Sequence, residues 1–158
     1  CYASSSPHQG KHKTLAEIIA MFDAVVANEG EADVVQLSGG EPTLHPEFWA
    51  IIEAARARPI KHLMINSNGI RFAEDSAFAE RFAALGPGVE VYLQFDSFRP
   101  QVLKQLRGAD LSRIRATALA NLNRLNISTT LVMTIKKGLN DDEIGEVVEF
   151  ASRQPCVR

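Results

Sequence analysis

The sequence predicts an α/β fold with parallel strands, and three observations carry that prediction. Short β-branched apolar runs alternate with longer segments whose apolar residues recur at helical spacing. The intervening segments are long enough to cross back over a sheet, so consecutive strands are expected to run parallel. Each apolar run also turns polar at its C-terminal end, and in parallel α/β folds those ends share the rim that holds the site.

The elements follow in order. Leu15, Ile18, Ile19, Phe22, Val25 and Val26 fall on one helical face. Thr14 and Glu17 supply its capping box and Gly30 its stop. Val34 to Leu37 is too short for a helix and reads as a strand. A second helix has Pro46 at its first turn and Phe48, Ile51, Ile52 and Ala55 on its buried face. Leu63 to Ile65 reads as a strand, and Phe78, Phe82 and Leu85 as a helix face. A Gly86-Pro87-Gly88 turn leads into a strand from Val89 to Phe95. Leu103 and Leu106 mark a short helix closed by Gly108. Leu111, Ile114, Ala118, Leu122 and Leu125 mark a longer one. Thr129 to Ile135 is the fourth strand. Asn140 with Glu143 is expected to cap a last helix bearing Ile144, Val147, Val148 and Ala151, and a further strand would begin near Val157.

Composition narrows the function classes. The chain has 158 residues, 46% hydrophobic and 23% charged, with a formal net charge of -2. This suits a single domain over residues 1–158 with a sizeable core. No basic, aromatic-studded face suggests nucleic acid. No apolar run approaches a membrane span and no signal peptide opens the chain, so a cytoplasmic setting is expected. The two cysteines, Cys1 and Cys156, do not form a disulfide framework. A start at Cys1-Tyr2-Ala3 without methionine reads as a piece of a longer protein.

The polar strand ends are Ser38-Gly39-Gly40-Glu41, Asn66-Ser67-Asn68-Gly69, Gln94 with Asp96 and Ser97, and Thr134 with Lys136 and Lys137. Tyr92, Gln94 and Asp96 share parity, so they are expected on one face. Loops are polar anyway, which explains one or two such ends. Four ends carrying small hydrogen-bonding groups and two carboxylates point to a ligand bed. Within it, Gly39-Gly40-Glu41-Pro42 is the most specific stretch. Paired glycines let backbone carbonyls approach a ligand without a Cβ in the way. The carboxylate can accept a charge-assisted bond from an ammonium group, and Pro42 stiffens the exit. As an isolated tetrapeptide it would be read as a tight turn, but it sits at a strand end just before a helix.

In that context Gly39-Gly40-Glu41-Pro42 resembles the motif of the radical S-adenosylmethionine (radical SAM) family that binds the methionine amino group of SAM. Cys1 matches the third cysteine of the family's C-x3-C-x2-C motif. Ser67 and Asn68 match a polar strand end near the methionine and ribose, and Gln94 to Ser97 the ribose-contacting segment. Leu131 to Ile135, running into Gly138-Leu139-Asn140-Asp141-Asp142-Glu143-Ile144, matches a strand and helix that help to hold adenine. Cys1-Tyr2-Ala3 and Tyr92 to Asp96 further resemble the branch containing tetraether lipid synthase.

The resemblance implies a partial parallel βα barrel, strands two to five of a six-stranded core. It implies a parent oxidoreductase or transferase that binds a 4Fe-4S cluster, SAM, a small-molecule substrate and an electron donor, and cleaves SAM reductively to a 5′-deoxyadenosyl radical. The implied residues are Cys1 for the cluster and Gly39, Gly40, Glu41, Pro42, Ser67, Asn68, Gln94, Asp96 and Ile135 for SAM. No catalytic residue is assigned. The other two cluster cysteines would lie upstream of Cys1, so the chain as given is expected to be inactive.

Other readings were open at this level. Cys1, His8 and His12 have an allowed zinc spacing, but the segment is loop-like and lacks a fourth ligand. Cys156 reads as a small buried residue. An aldolase-like Schiff-base barrel would need a lysine inside an apolar strand, and there is none. A non-catalytic interaction domain is the third alternative, since an exposed strand edge associates readily.

Overall fold

The computed structural model describes residues 12–158. Its strands form a parallel sheet ordered as in the chain, β1-β2-β3-β4. The chain gathers into two compact units, Cys1–Asn66 and Ser67–Arg158.

The first unit opens on α1 (Leu15–Glu29). The Glu17 N–H donates to Thr14 Oγ1 at 3.2 Å while the Thr14 N–H donates to Glu17 Oε2 at 2.7 Å. This reciprocal box satisfies two amides that the helix cannot. Gly30, at φ 72°, ends the helix in a conformation that side chains resist. Only Phe22 of the α1 stripe is fully buried; Leu15, Ile18, Ile19, Val25 and Val26 are half-buried.

β1 (Ala32–Leu37) pairs in parallel with β2 (Ile60–Ser67), Leu37 opposite Ile65. Between them α2 (Phe48–Arg56) buries Phe48, Ile51, Ile52 and Ala55, the face that periodicity predicts. The helix starts two residues after Pro46, which lies in a turn closed by the Phe48 N–H donating to the His45 carbonyl at 3.0 Å. Strand β2 alternates, with Leu63, Ile65 and Ser67 buried.

The second unit holds α3 (Ile70–Glu74), α4 (Ser76–Ala83), β3 (Val89–Gln94), α5 (Pro100–Arg107), α6 (Ser112–Arg124), β4 (Thr129–Val132) and α7 (Ile144–Ser152). β3 and β4 are parallel, with Leu93 opposite Leu131. Phe72 sits under α4 with ring centroids 5.2 Å from Phe78 and 5.1 Å from Phe82, both edge-on. Val91, Leu93, Leu103, Ala118 and Leu122 complete the apolar interior.

Four details differ from expectation. The short α3 has no apolar stripe long enough to detect. It gives way to α4 at Asp75, whose Oδ1 accepts the Phe78 N–H at 2.9 Å. The helix ends at Ala83, before Leu85. β4 stops at Val132, because the Thr134 N–H and C=O are taken by side chains rather than a strand. Asn140 and Glu143 do not cap α7 by side-chain bonds; both are buried and bond back to the ends of β3 and β4. Val157 does make a parallel bridge to Thr129.

Candidate functional site

In the first unit the polar end of β1 leads directly into the glycine turn. Ser38, Gly39 and Gly40 are exposed, and a Cβ built on Gly39 would meet nothing within 4 Å. The space beside this backbone is open to a ligand. Glu41 Oε1 accepts from Thr43 Oγ1 at 2.8 Å and from the Thr43 N–H at 3.3 Å. Thr43 is wholly buried, so the carboxylate is anchored from below. Pro42 opens the 3-10 turn, where its missing N–H costs nothing.

In the second unit Ser67 is buried and its Oγ accepts the Gly69 N–H at 3.1 Å. Asn68 Oδ1 accepts the Ile70 N–H at 2.9 Å, an Asx-type turn that starts α3. Gly69 has two reasons to be glycine. Its φ is 82°, and a Cβ there would lie 2.7 Å from Leu93 Cδ1 and 3.3 Å from Ala118 Cβ. The N-terminus of α3 therefore rests directly on β3 and α6.

Gln94 is half-buried at the end of β3, and Asp96 two residues on has no exposed surface. Asp96 Oδ1 accepts from Arg107 Nη2 at 2.9 Å and from the Thr134 N–H at 3.0 Å. Its Oδ2 accepts from Arg107 Nε at 2.8 Å and Arg115 Nη2 at 2.7 Å. Four donors fill the acceptor sites of one carboxylate. Burial pushes the Asp96 carboxyl up. The Arg107 bonds, the Thr134 N–H and the two guanidinium charges outweigh it, holding the pKa at about 2. Burial likewise pulls Arg115 down against the opposing pull of Asp96. Among the described residues, Arg115 Nε and Nη1 are buried without a hydrogen-bond partner.

A second network joins the same loop to the segment before α7. Glu143 accepts from Ser97 Oγ at 2.5 Å, the Phe98 N–H at 2.9 Å and Arg99 Nε at 3.1 Å. Arg99 also grips Asp142 through both terminal nitrogens and donates to the Leu139 carbonyl. The ends of β3 and β4 are thus fastened together. Ile135 lies beside that junction, 55% exposed.

The structure brings Asp96 to Thr134, the residue before Ile135, and places Ser67 and Asn68 at the start of α3. Glu41 and the paired glycines belong to the first unit. Cys1 lies outside the described residues, as does His8. Among the described residues no group of three or more His, Cys, Asp or Glu side chains could hold a metal ion. Cys156 is buried as expected, and burial pushes its thiol up. Sequence reasoning missed Arg107, Arg115, Asn140 and Glu143 as partners of the rim. Arg115 did leave a signal: it falls on the stripe of Leu111, Ala118 and Leu122, where a charge requires a buried partner.

Comparison with known proteins identifies the family. The model of the Radical SAM superfamily matches residues 1–151, so the chain belongs to that superfamily. Its order of strands and helices is that of a partial parallel βα barrel core. The chain is 32% identical over 154 residues to a probable GTP 3′,8-cyclase of Thermococcus kodakarensis, covering 97% of this chain and 48% of that protein. It is 29% identical over 155 residues to the 7,8-dihydro-6-hydroxymethylpterin dimethyltransferase of Methanocaldococcus jannaschii, covering 96% and 30%. A GTP 3′,8-cyclase of Haemophilus influenzae is 30% identical over 148 residues, covering 90% and 41%. The chain thus spans less than half the length of these relatives.

Proposed function

We propose that this chain carries the SAM-binding rim of a radical SAM enzyme. The observation that carries the reading is the turn at residues 39–42, where open space beside Gly39 adjoins a carboxylate anchored by Thr43. A ligand ammonium could donate to the carbonyls of Gly39 and Gly40 and to the Glu41 carboxylate, while Pro42 fixes the turn. Ser67, Asn68 and Gln94 offer hydrogen-bonding groups suited to a carboxylate and a ribose. Asp96 contributes by holding the rim beside the ribose, and Ile135 offers an apolar surface to adenine. Cys1 is a cluster ligand in this reading.

When bound in the whole protein, a 4Fe-4S cluster, with Cys1 among its ligands, would supply the electron for the reductive cleavage of SAM. In this reading the chain's own residues bind SAM and orient it. An electron donor and a small-molecule substrate are the partners of the whole protein. Among the described residues no helix is long and apolar enough to cross a membrane.

The test is Glu41→Gln in the protein extended upstream and reconstituted anaerobically. A charge-assisted bond contributes about 1.5–3 kcal/mol, so SAM affinity should fall roughly ten- to a hundredfold. The cluster spectrum should be unchanged. Glu53→Gln, at an exposed position on α2, is the control. Equal SAM affinity in wild type and Glu41→Gln would show that the turn is only structural.

A further inference from the structure

Ile135 presents an unusual combination: a large apolar side chain, 55% exposed, on irregular backbone that is held firmly on both sides. Before it, every polar group of Thr134 is engaged. The N–H donates to Asp96 Oδ1 at 3.0 Å, Oγ1 accepts from Arg107 Nη2 at 3.1 Å, and the carbonyl accepts from Asn140 Nδ2 at 2.9 Å. After it, the Lys136 N–H donates to Asn140 Oδ1 at 2.8 Å. Asn140 alone reaches both flanks. Its remaining amide proton goes to the Asp96 carbonyl at 2.8 Å, which ties the pair of flanks to the end of β3.

Asn140 is completely buried, and these three bonds use both amide protons and the carbonyl. Its side chain is too short to reach these groups from a different backbone position. Aspartate would lack the two donors, and leucine would leave two carbonyls and an amide unmatched in the interior. An exposed isoleucine on a loose loop would fold back against the nearest apolar surface. Here the backbone on either side prevents that collapse.

We propose that Asn140 is a positioning residue for the cofactor, holding Ile135 out from the rim as a fixed apolar platform for a flat aromatic ring. The inference rests on the SAM reading above and gives Asn140 a role in binding the adenosine half alone. Asn140 touches no ligand. It sets the backbone on both sides of the residue that does.

The experiment uses the upstream-extended protein in three forms: wild type, Asn140→Ser and Ile135→Ala. Two probes divide SAM, namely 5′-deoxyadenosine and L-methionine, each titrated calorimetrically. Both variants should lose roughly tenfold in 5′-deoxyadenosine affinity and keep their methionine affinity within about twofold. Hydrogen exchange should show the Lys136 amide opening faster in Asn140→Ser, with amides of the α1–α2 unit unchanged. A folded Asn140→Ser that binds 5′-deoxyadenosine like the wild type overturns the proposal. Equal losses for both probes also overturn it, since that pattern marks general damage. Should Asn140→Ser fail to fold, Ile135→Ala decides, because removal of an exposed side chain leaves the clamp intact. Unchanged 5′-deoxyadenosine affinity there removes the platform. A wild type that binds neither probe fails the SAM reading itself, a result distinct from a wild type that binds and variants that bind equally.

Discussion

Arg115 Nη2 donates to Asp96 Oδ2 at 2.7 Å, and both side chains are shut away from solvent, 2% and 0% exposed. Ions so placed lose nearly all of their hydration, and their mutual attraction repays this only when the remaining valences are filled. Asp96 meets that condition and Arg115 does not. The two partners are therefore expected to respond unequally to removal.

Asp96→Asn should destabilise the protein by about 3–5 kcal/mol, because it leaves a buried guanidinium without a counter-charge. Arg115→Met should cost clearly less. It removes two unmatched nitrogens and leaves Asp96 with Arg107 and Thr134. Urea unfolding of the two variants checks the order, and a reversed order would refute it.

The same carboxylate makes stability depend on acidity. Its folded pKa of about 2 lies below the reference value of 3.8, so its contribution is present above that reference value. It is lost as the pH falls from about 4 towards 2, and should amount to about 2 kcal/mol. Urea midpoints of wild type and Asp96→Asn should therefore converge across that window and run parallel above pH 5.

How much of this was legible in the sequence depends on how far apart the partners lie. Thr14 and Glu17, three residues apart, declared their capping box outright. The buried face of α2 and the Gly108 stop were equally local. Gly39 to Pro42 is contiguous, so the family could be read from it. The tetraether lipid synthase likeness rests on scattered short segments and is a finer statement than they carry. The Asp96 partners, by contrast, lie 11, 19 and 38 residues downstream. Spacing alone cannot select them. The Asn140–Glu143 spacing fits a helix cap, yet Asn140 bonds to Asp96, Thr134 and Lys136 and Glu143 to Ser97, Phe98 and Arg99, partners that spacing does not reveal.

Gly69→Ala should destabilise by about 1–3 kcal/mol, since the added carbon would strike Leu93 Cδ1 and the backbone resists a side chain at φ 82°. Thermal unfolding measures the loss. Combining Gly69→Ala with Leu93→Val should recover part of it, because shortening Leu93 removes the atom that is struck. No recovery would assign the cost to backbone strain alone.

Glu143→Ala should cost about 1–3 kcal/mol, since Ser97, Phe98 and Arg99 all donate to that one carboxylate. The Phe98 amide should exchange faster. Glu149→Ala is the comparison. It breaks an exposed ion pair with Arg153 on α7 and should cost less than about 0.5 kcal/mol. Equal costs would mean that the Glu143 network does not hold the loop.

The two networks that meet at residues 96–99 also differ in formal charge. Asp96 faces two guanidiniums, whereas Arg99 faces two carboxylates. One side of the loop therefore carries a formal excess of one positive charge and the other a formal excess of one negative charge. Together they make a dipole across the rim, so an approaching polar molecule meets a gradient of potential and is turned to suit it. Asp96, Arg115 and Glu143 are buried, so salt should screen that orienting field less than it would a surface pair.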